Sequence, residues 1–361
     1  MIIFRERNVD MDFTKLTFAS LCLLVQLQMM VVTGVVEPFS AGVAMGTGLV
    51  LSALWSSRDK LACKLTECCG ADWIRPELPQ LEETLEENLF GQHLVTTLVT
   101  RAVRAHVRKK EPKKALVMSF HGWTGSGKNF VAKFVVESLY KLGLASKYVH
   151  LFISTLHFPN QDQTDIYKLN VQDWIRGNIS ECQQSVFIFD EIDKMPAGMI
   201  DAVKPFIDHH DLVGGVNFRR SIFIFLSNTG GRDITKETHK LWQKGRKRED
   251  LLYTDLEKMI NDGAFNELGG LHHSSVIDSS LIDVYVPFLP LERQHVRKCV
   301  IKEAKDRNLT MTEEDIMGIV DSLSYWPSDT KLYSTTGCKR IANKLDLFQE
   351  ELEELEYSNE L

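Results

Sequence analysis

Five short apolar runs punctuate the middle of the chain: Ala115–Phe120, Tyr148–Ser154, Val186–Phe189, Ile222–Leu226 and Val284–Phe288. Apolar character that continues through such a run, rather than alternating, marks strands covered on both faces, as in a parallel sheet. Helical spacing fills the gaps after the first two, over Asn129–Leu142 and Ile166–Asn178. The order predicts an α/β domain whose ligands meet the carboxyl ends of the strands. Upstream, Leu81, Leu85 and Leu89 share one helical face, and Leu94–Val107 predicts a second helix after Phe90-Gly91-Gln92-His93. From Pro290 the pattern turns wholly helical: Leu291–Lys305, Thr312–Tyr325 with Ile316, Ile319, Val320 and Leu323 on one face, then Gly337–Leu355 with Ile341, Leu345, Phe348 and Leu352 on another. That segment predicts a small helical lid.

Chemistry enters where the first strand meets its helix. His121-Gly122-Trp123-Thr124-Gly125-Ser126-Gly127-Lys128-Asn129 has the G-x-x-x-x-G-K form of a phosphate loop. Glycines let backbone N–H groups turn around phosphate oxygens, the helix N-terminus favours negative charge, and Lys128 reaches the terminal phosphates. Asn129 stands where Ser or Thr normally offers a hydroxyl to Mg2+; an amide oxygen can instead coordinate the metal or order a water bound to it. Ser185–Phe189 is a buried-strand run ending in Asp190 and Glu191, the Walker B arrangement. Asp190 is expected to hold Mg2+ through water and Glu191 to orient and activate the attacking water. Asn228 ends the fourth strand, placed to hydrogen-bond that water or the γ-phosphate of ATP. Lys339, in Gly337-Cys338-Lys339 at the start of the last helix, is expected to reach across to the γ-phosphate, and Cys338 beside it to carry a thiol of lowered pKa.

Composition narrows this picture. With 361 residues and 44% apolar content the chain has room for about two domains with a sizeable core. A net charge of −7 gives no general affinity for nucleic acid, and Lys109–Lys114 and Lys244–Arg248 read as solvated linkers. Pro196–Val216, with His209 and His210, reads as a surface helix and turn, since adjacent histidines do not share a helix face. His272-His273 lies in a glycine-rich loop and reads the same way. Arg5, Arg7 and Lys15 precede an uncharged stretch from Leu16 to Val36, with small residues near Thr33-Gly34, the layout of a secretory signal. Met11 offers an alternative start. The uncharged segment Pro38–Trp55 is expected to associate with a membrane without spanning it. Of seven cysteines, Cys22 lies within the predicted signal; the other six, Cys63, Cys68, Cys69, Cys182, Cys299 and Cys338, suit an oxidising compartment without assigning pairs. Asn178-Ile179-Ser180 and Asn308-Leu309-Thr310 are glycosylation sequons. The boundaries read as signal 1–34, apolar and cysteine-bearing linker 35–75, nucleotide-binding domain 76–290 and lid 291–361.

Phosphate loop, Walker B pair, strand-end Asn228 and a lid with a basic residue together resemble the Clp-like branch of the AAA+ ATPases: a P-loop domain with a parallel sheet flanked by helices, plus a helical lid. Longer stretches resemble the torsin family, among them Val36-Glu37-Pro38, Glu67-Cys68-Cys69-Gly70, Asn88–His93, His121–Phe130, Tyr148–Phe152, Trp174–Asn178, Phe187–Lys194, Val286–Leu291 and Gly337-Cys338-Lys339. Asn129 is itself the torsin form of the loop. The resemblance implies an ATPase of the endoplasmic reticulum lumen and perinuclear space, held peripherally at the membrane and remodelling proteins or membranes there. It implies self-association or hetero-oligomers, and activation by the lumenal domains of lamina-associated polypeptide and its reticulum relative, which contribute an arginine finger. Clp-like subunits carry that arginine just before the strand Ile282–Val286, where this chain has Leu281, so the protein alone is expected to hydrolyse ATP very slowly. The resemblance also implies a redox-sensitive pair, Cys299 with Cys338, near the nucleotide. Where a torsin of the A type has two glutamates in the second lid helix, this chain has Asp321-Ser322. Two other classes compete: a nucleotide-gated scaffold, in which hydrolysis only resets a closed, partner-binding form, and a nucleic-acid motor, which the acidic charge and the sequons oppose. An aromatic-glycine pore loop of the kind that threads polypeptides is not evident.

Overall fold

The structure is a computed structural model that describes residues 63–266 and 269–360. The predicted signal 1–34 and the apolar segment Pro38–Trp55 lie outside the described residues. The chain divides into two units, Met1–Thr66 and Glu67–Leu361. Of the first, residues 63–65 form a helical turn; the second carries everything that follows. No helix among the described residues is long and apolar enough to cross a membrane.

Helices α1 (Leu78–Asn88) and α2 (His93–Val107) lead into strand β1 (Leu116–Gly122), helix α3 (Lys128–Leu139), strand β2 (Val149–Ile153) and helix α4 (Thr164–Glu181). Strands β3 (Val186–Asp190) and β4 (Ile222–Ser227) follow, then helices α5 (Gly231–Gln243) and α6 (Glu257–Asn266) and strand β5 (Val284–Phe288). The five strands form one parallel sheet in the order β2-β3-β4-β1-β5. Their continuous apolar runs sort by a period of two. Met118, Phe120, Ile188 and Ile224 face α1, α2 and α3, while Val117, Phe187, Phe189, Phe223 and Phe225 face α4 and the segment around residues 199–207. On α4 the buried stripe is Tyr167, Val171, Ile175 and Ile179, every fourth residue. With both faces covered, the carboxyl ends of β1, β3 and β4 are the sheet's open edge, beside one another, which gathers three distant sequence motifs.

The C-terminal part has its own core. Val296 and Val300 of α7 (Arg293–Asp306), Ile316, Ile319 and Val320 of α8 (Glu313–Asp321) and Ile341 and Leu345 of α9 (Ile341–Glu360) meet around Leu291. It is not wholly helical. Tyr325–Trp326 (β6) and Tyr333–Ser334 (β7) pair as an antiparallel hairpin, where helical spacing had been extended through Tyr325. Aromatic residues fit a strand pair, and Pro327 stops any helix there. Gly337-Cys338-Lys339 forms a turn, and α9 begins only at Ile341. Gly337 is left-handed with φ 53°, which a helix cannot continue through.

Three polar or mixed stretches are less exposed than their composition implies. Met199, Ile200, Val203, Phe206 and Ile207 are buried, so the first part of Pro196–Val216 is a core segment, while His209 and His210 lie in the exposed bend that follows. Lys114 is no solvated linker residue: its Nζ donates to Leu281 O at 2.9 Å and pairs with Asp283 at 2.6 Å. Arg248 is buried as well, with consequences for the site. A disulfide joins Cys69 to Cys182 at the end of α4, closing a loop 113 residues long.

Candidate nucleotide-binding site

Strand β1 delivers the chain into the phosphate loop, and the loop's shape follows from its glycines. Gly125 and Gly127 are left-handed, with φ 72° and 110°, conformations that turn successive N–H groups toward a common centre and that a side chain would strain. Lys128 opens α3 and folds back: its Nζ donates to Gly122 O at 2.7 Å, Trp123 O at 3.0 Å and Asn228 Oδ1 at 3.0 Å. Burial pushes this lysine down to about 8, against the opposing pull of Asp193 and Asp190. A buried ammonium so held is a preformed counter-charge for phosphate. Ser126 closes the loop with its hydroxyl on Trp123 O at 2.7 Å.

Asp190 and Glu191 end β3 directly beside this loop. Asn129 Nδ2 donates to Asp190 Oδ2 at 2.6 Å, and the other carboxylate oxygen accepts the Glu191 N–H at 2.8 Å. Glu191 itself is left-handed, φ 55°, which sends its side chain away from the strand axis. Its carboxylate accepts from Lys194 at 2.5 Å and from Thr155 at 2.9 Å, and the Lys194 bond holds it below the usual carboxylate range. Asn228, at the end of β4, is gripped from both sides: Asp193 accepts from its N–H at 3.0 Å and its Nδ2 at 3.2 Å, while its carbonyl oxygen takes Lys128. Asn228 therefore belongs to the site rather than to an ordinary turn.

The lid closes the cleft from the other side. Cys338 N–H donates to Gly125 O at 3.2 Å, and the approach is so close that a side chain on Gly125 would collide with Thr336 O, and one on Gly337 with Gly125 O. Lys339 thus faces Lys128, Asp190 and Glu191 across a cleft of about 500 Å3, a size that suits a nucleotide. Leu89, Phe90, Leu291 and Ile341 line this cleft as well, beside Asn88, and offer apolar surface suited to a flat base. Cys299 and Cys338 also line it and are bonded to each other, so Cys338 has no thiol to ionise and the expectation of a reactive, low-pKa cysteine is corrected.

Several residues complete the site through contacts that the sequence does not show. Gln92 is only 2% exposed, and its amide bonds Ser126 O at 3.1 Å and both polar backbone groups of Leu289, at 2.8 and 2.9 Å. Arg248 spans from Gly91 O, at 2.9 and 2.6 Å, to Pro290 O at 2.7 Å. Together they tie the loop before α2, the phosphate loop and the start of the lid. Lone polar residues in short linkers give no sequence signal for such a role. Asp193, Lys194 and Thr155 lay next to recognised motifs and were legible only as neighbours. The sequon asparagines stand apart from the cleft: Asn178 bonds Trp174 O within α4, and Asn308 is exposed and left-handed, φ 58°, just past α7. Asp321 is ion-paired to Arg293 inside the lid.

A five-stranded parallel sheet in this order, bearing a phosphate loop, a Walker B pair and a lid that reaches the loop, defines an AAA+ ATPase. Solved structures agree on the fold. The chain resembles the S. cerevisiae Hsp104-ADP complex with a TM-score of 0.55 at 18% identity, over 83% of this chain and 51% of that one. It resembles the extended S. cerevisiae Hsp104:casein complex with a TM-score of 0.57 at 17% identity, over 82% and 50%. The chain thus spans about half the length of those Hsp104 chains. The Torsin family model matches residues 63–189, and the model of the Torsin-1A C-terminal domain matches 291–348. A "Torsin-like protein" of Caenorhabditis elegans is 37% identical over 342 residues, 94% of this chain and 95% of that protein. The chain belongs to the torsin family.

Proposed function

We propose that this AAA+ ATPase hydrolyses ATP only slowly by itself and is activated by a membrane-anchored partner in the endoplasmic reticulum lumen and perinuclear space, where it remodels proteins or membranes. Lys128 neutralises the terminal phosphates, and Lys339 approaches the same charge from the lid. Asn228 orients the attacking water, and Glu191, kept ionised by Lys194, accepts its proton. The oxygen-bearing side chains of Asn129 and Asp190, in contact beside the phosphate loop, fit a hard divalent cation. Bound Mg2+ would offset charge on the β- and γ-phosphates.

One observation carries the need for a partner. The turn before β5, where Clp-like subunits present a finger arginine, exposes Asp278, Ser279 and Ser280, and Leu281 is 2% exposed and packed in the core. This edge therefore offers a neighbouring copy no guanidinium. The lumenal domains of lamina-associated polypeptide and its reticulum relative are the proposed donors. Location in the lumen, with the N-terminal apolar segment at the membrane, rests on the signal pattern, the sequons and the cysteines; the disulfides support it.

The test is the ATPase rate of the lumenal portion with and without that domain, with Glu191→Gln as blank. The expected result is near-blank activity alone and a rise of about 1,000-fold or more with the partner, in keeping with the worth of an arginine finger. Robust hydrolysis without partner would overturn the proposal. Unchanged hydrolysis despite complex formation would favour the nucleotide-gated scaffold.

A further inference from the structure

His121 is the last side chain of β1 before the phosphate loop and is fully buried. Nothing in the mechanism above uses it. Burial holds it neutral, down to about 4, and its ring packs against Tyr285 with centroids 5.9 Å apart. Both ring nitrogens are occupied. Nδ1 lies 3.2 Å from Thr229 O and 3.3 Å from Thr229 Oγ1, while Nε2 lies 2.7 Å from Ser119 Oγ. A carbonyl oxygen only accepts, so Nδ1 carries the hydrogen and Nε2 accepts from the Ser119 hydroxyl. Ser227 completes the chain, with its Oγ 2.6 Å from Thr229 Oγ1 and accepting the Thr229 N–H at 3.1 Å.

Thr229 immediately follows Asn228. The same turn meets the phosphate loop at a second point, where a Cβ on Gly231 would lie 2.8 Å from Gly122 C and Trp123 N. The turn is thus docked on the loop's base at two places, one a van der Waals contact of glycines and the other the directional bond from His121. Strand pairing between β1 and β4 stops at His121 and Ser227, so beyond it the His121 bond is the directional hold that β1 has on Thr229.

We infer that His121 is a positioning residue: its Nδ1–H clamps the Asn228–Thr229 turn to the phosphate-loop strand, so that Lys128 and Asn228 address the γ-phosphate as one rigid unit. The inference rests on the role of Asn228 in the ATPase reading. Displacement of a positioning group by about 1 Å can lower the rate of the chemical step by about 100-fold without removing a binding contact.

Asparagine and glutamine separate the two ring nitrogens. The Asn amide nitrogen coincides with Nδ1 and keeps a donor for Thr229 O, whereas Gln reaches the place of Nε2 and serves Ser119 alone. The experiment measures single-turnover ATP hydrolysis with the activating partner's lumenal domain bound, and equilibrium affinities for ATP and ADP on the full chain, for the wild type, His121→Asn, His121→Gln and His121→Phe. The expected pattern is that His121→Asn stays within about 3-fold of wild-type rate, while Gln and Phe lose about 30-fold or more. ATP affinity should fall about 10-fold in those two variants, with ADP affinity within about 2-fold, because ADP lacks the phosphate that Asn228 addresses. Equal behaviour of Asn and Gln, or parallel loss of ATP and ADP affinity, would overturn the inference in favour of a packing role. Should the Gln and Phe variants not fold, 15N spectra of histidine-labelled wild type decide: a non-titrating Nδ1–H tautomer that shifts with ATP more than with ADP is expected, and an Nε2–H tautomer refutes the clamp. If the partner-bound wild type hydrolyses no more ATP than partner-bound Glu191→Gln, the ATPase reading fails, and the affinity ratio and tautomer still judge His121.

Discussion

At the scale of single residues, the site is a set of charges held by other charges. Lys128, Asn228 and Asp193 form one continuous chain of hydrogen bonds, and Glu191 is held by Lys194 and Thr155 in a second. Lys194 is the leading cause of the lowered Glu191 pKa. Replacing it by methionine should raise that pKa toward the ordinary carboxylate value. Since the ionised form is the one that accepts the water's proton, the acid limb of the partner-stimulated pH–rate profile should move to higher pH in Lys194→Met. An unmoved limb would mean that another group sets it. Lys128, Asp190 and Glu191, which line one cleft, were legible as a group because a phosphate loop and a strand-end carboxylate pair need those types at those spacings. The contacts of Asp193, Gln92 and Arg248 were not, because their partners lie 35, 197 and 157 residues away, and only the fold supplies the encounter.

Elements account for the rest of what could and could not be read. Each predicted strand exists within a residue or two, since a sheet buried on both faces demands unbroken apolar runs. Helices were legible through their stripes, but their ends shifted where caps are irregular: α3 starts at Lys128, capped by left-handed Gly127 rather than by a polar side chain. The hairpin of β6 and β7 was missed because two-residue strands show no periodicity. Helices α5 and α6, in a polar stretch between β4 and β5, likewise went unread, α5 burying only Ile234 among its large apolar residues. The Cys69–Cys182 and Cys299–Cys338 disulfides are expected to act on different elements. Cys182→Ser removes the cross-link at the end of α4, away from the cleft, and by chain entropy alone costs up to about 4–5 kcal/mol. Its melting temperature should fall while nucleotide affinity is kept. Cys299→Ser frees the turn whose Cys338 N–H meets Gly125 O, so nucleotide affinity should change with a smaller loss of stability. Thermal unfolding and nucleotide titration of both variants check the contrast; identical effects on both readouts would show that the lid bond has no specific hold on the loop.

On the scale of the whole molecule, the cleft is assembled from four regions distant in sequence: the loop before α2, the ends of β1, β3 and β4, one face of α7, and the turn that leads into α9. Gln92 and Arg248 bind the first to the start of the lid, and Gly125 with Cys338 binds the second to its end. The P-loop sheet plus lid architecture was legible from element order, and the torsin resemblance from long motifs. What surrounds the molecule is carried by the proposal, whose centre is a catalytic charge that this chain does not present at the turn before β5. The most direct measurement is single-turnover ATP hydrolysis by the wild-type chain with the partner's lumenal domain, against the same domain with its interface arginine replaced by alanine, at concentrations where both complexes form. The account predicts that the substituted partner binds yet loses the stimulation by about 1,000-fold or more. Full stimulation by a bound partner lacking that arginine would contradict it.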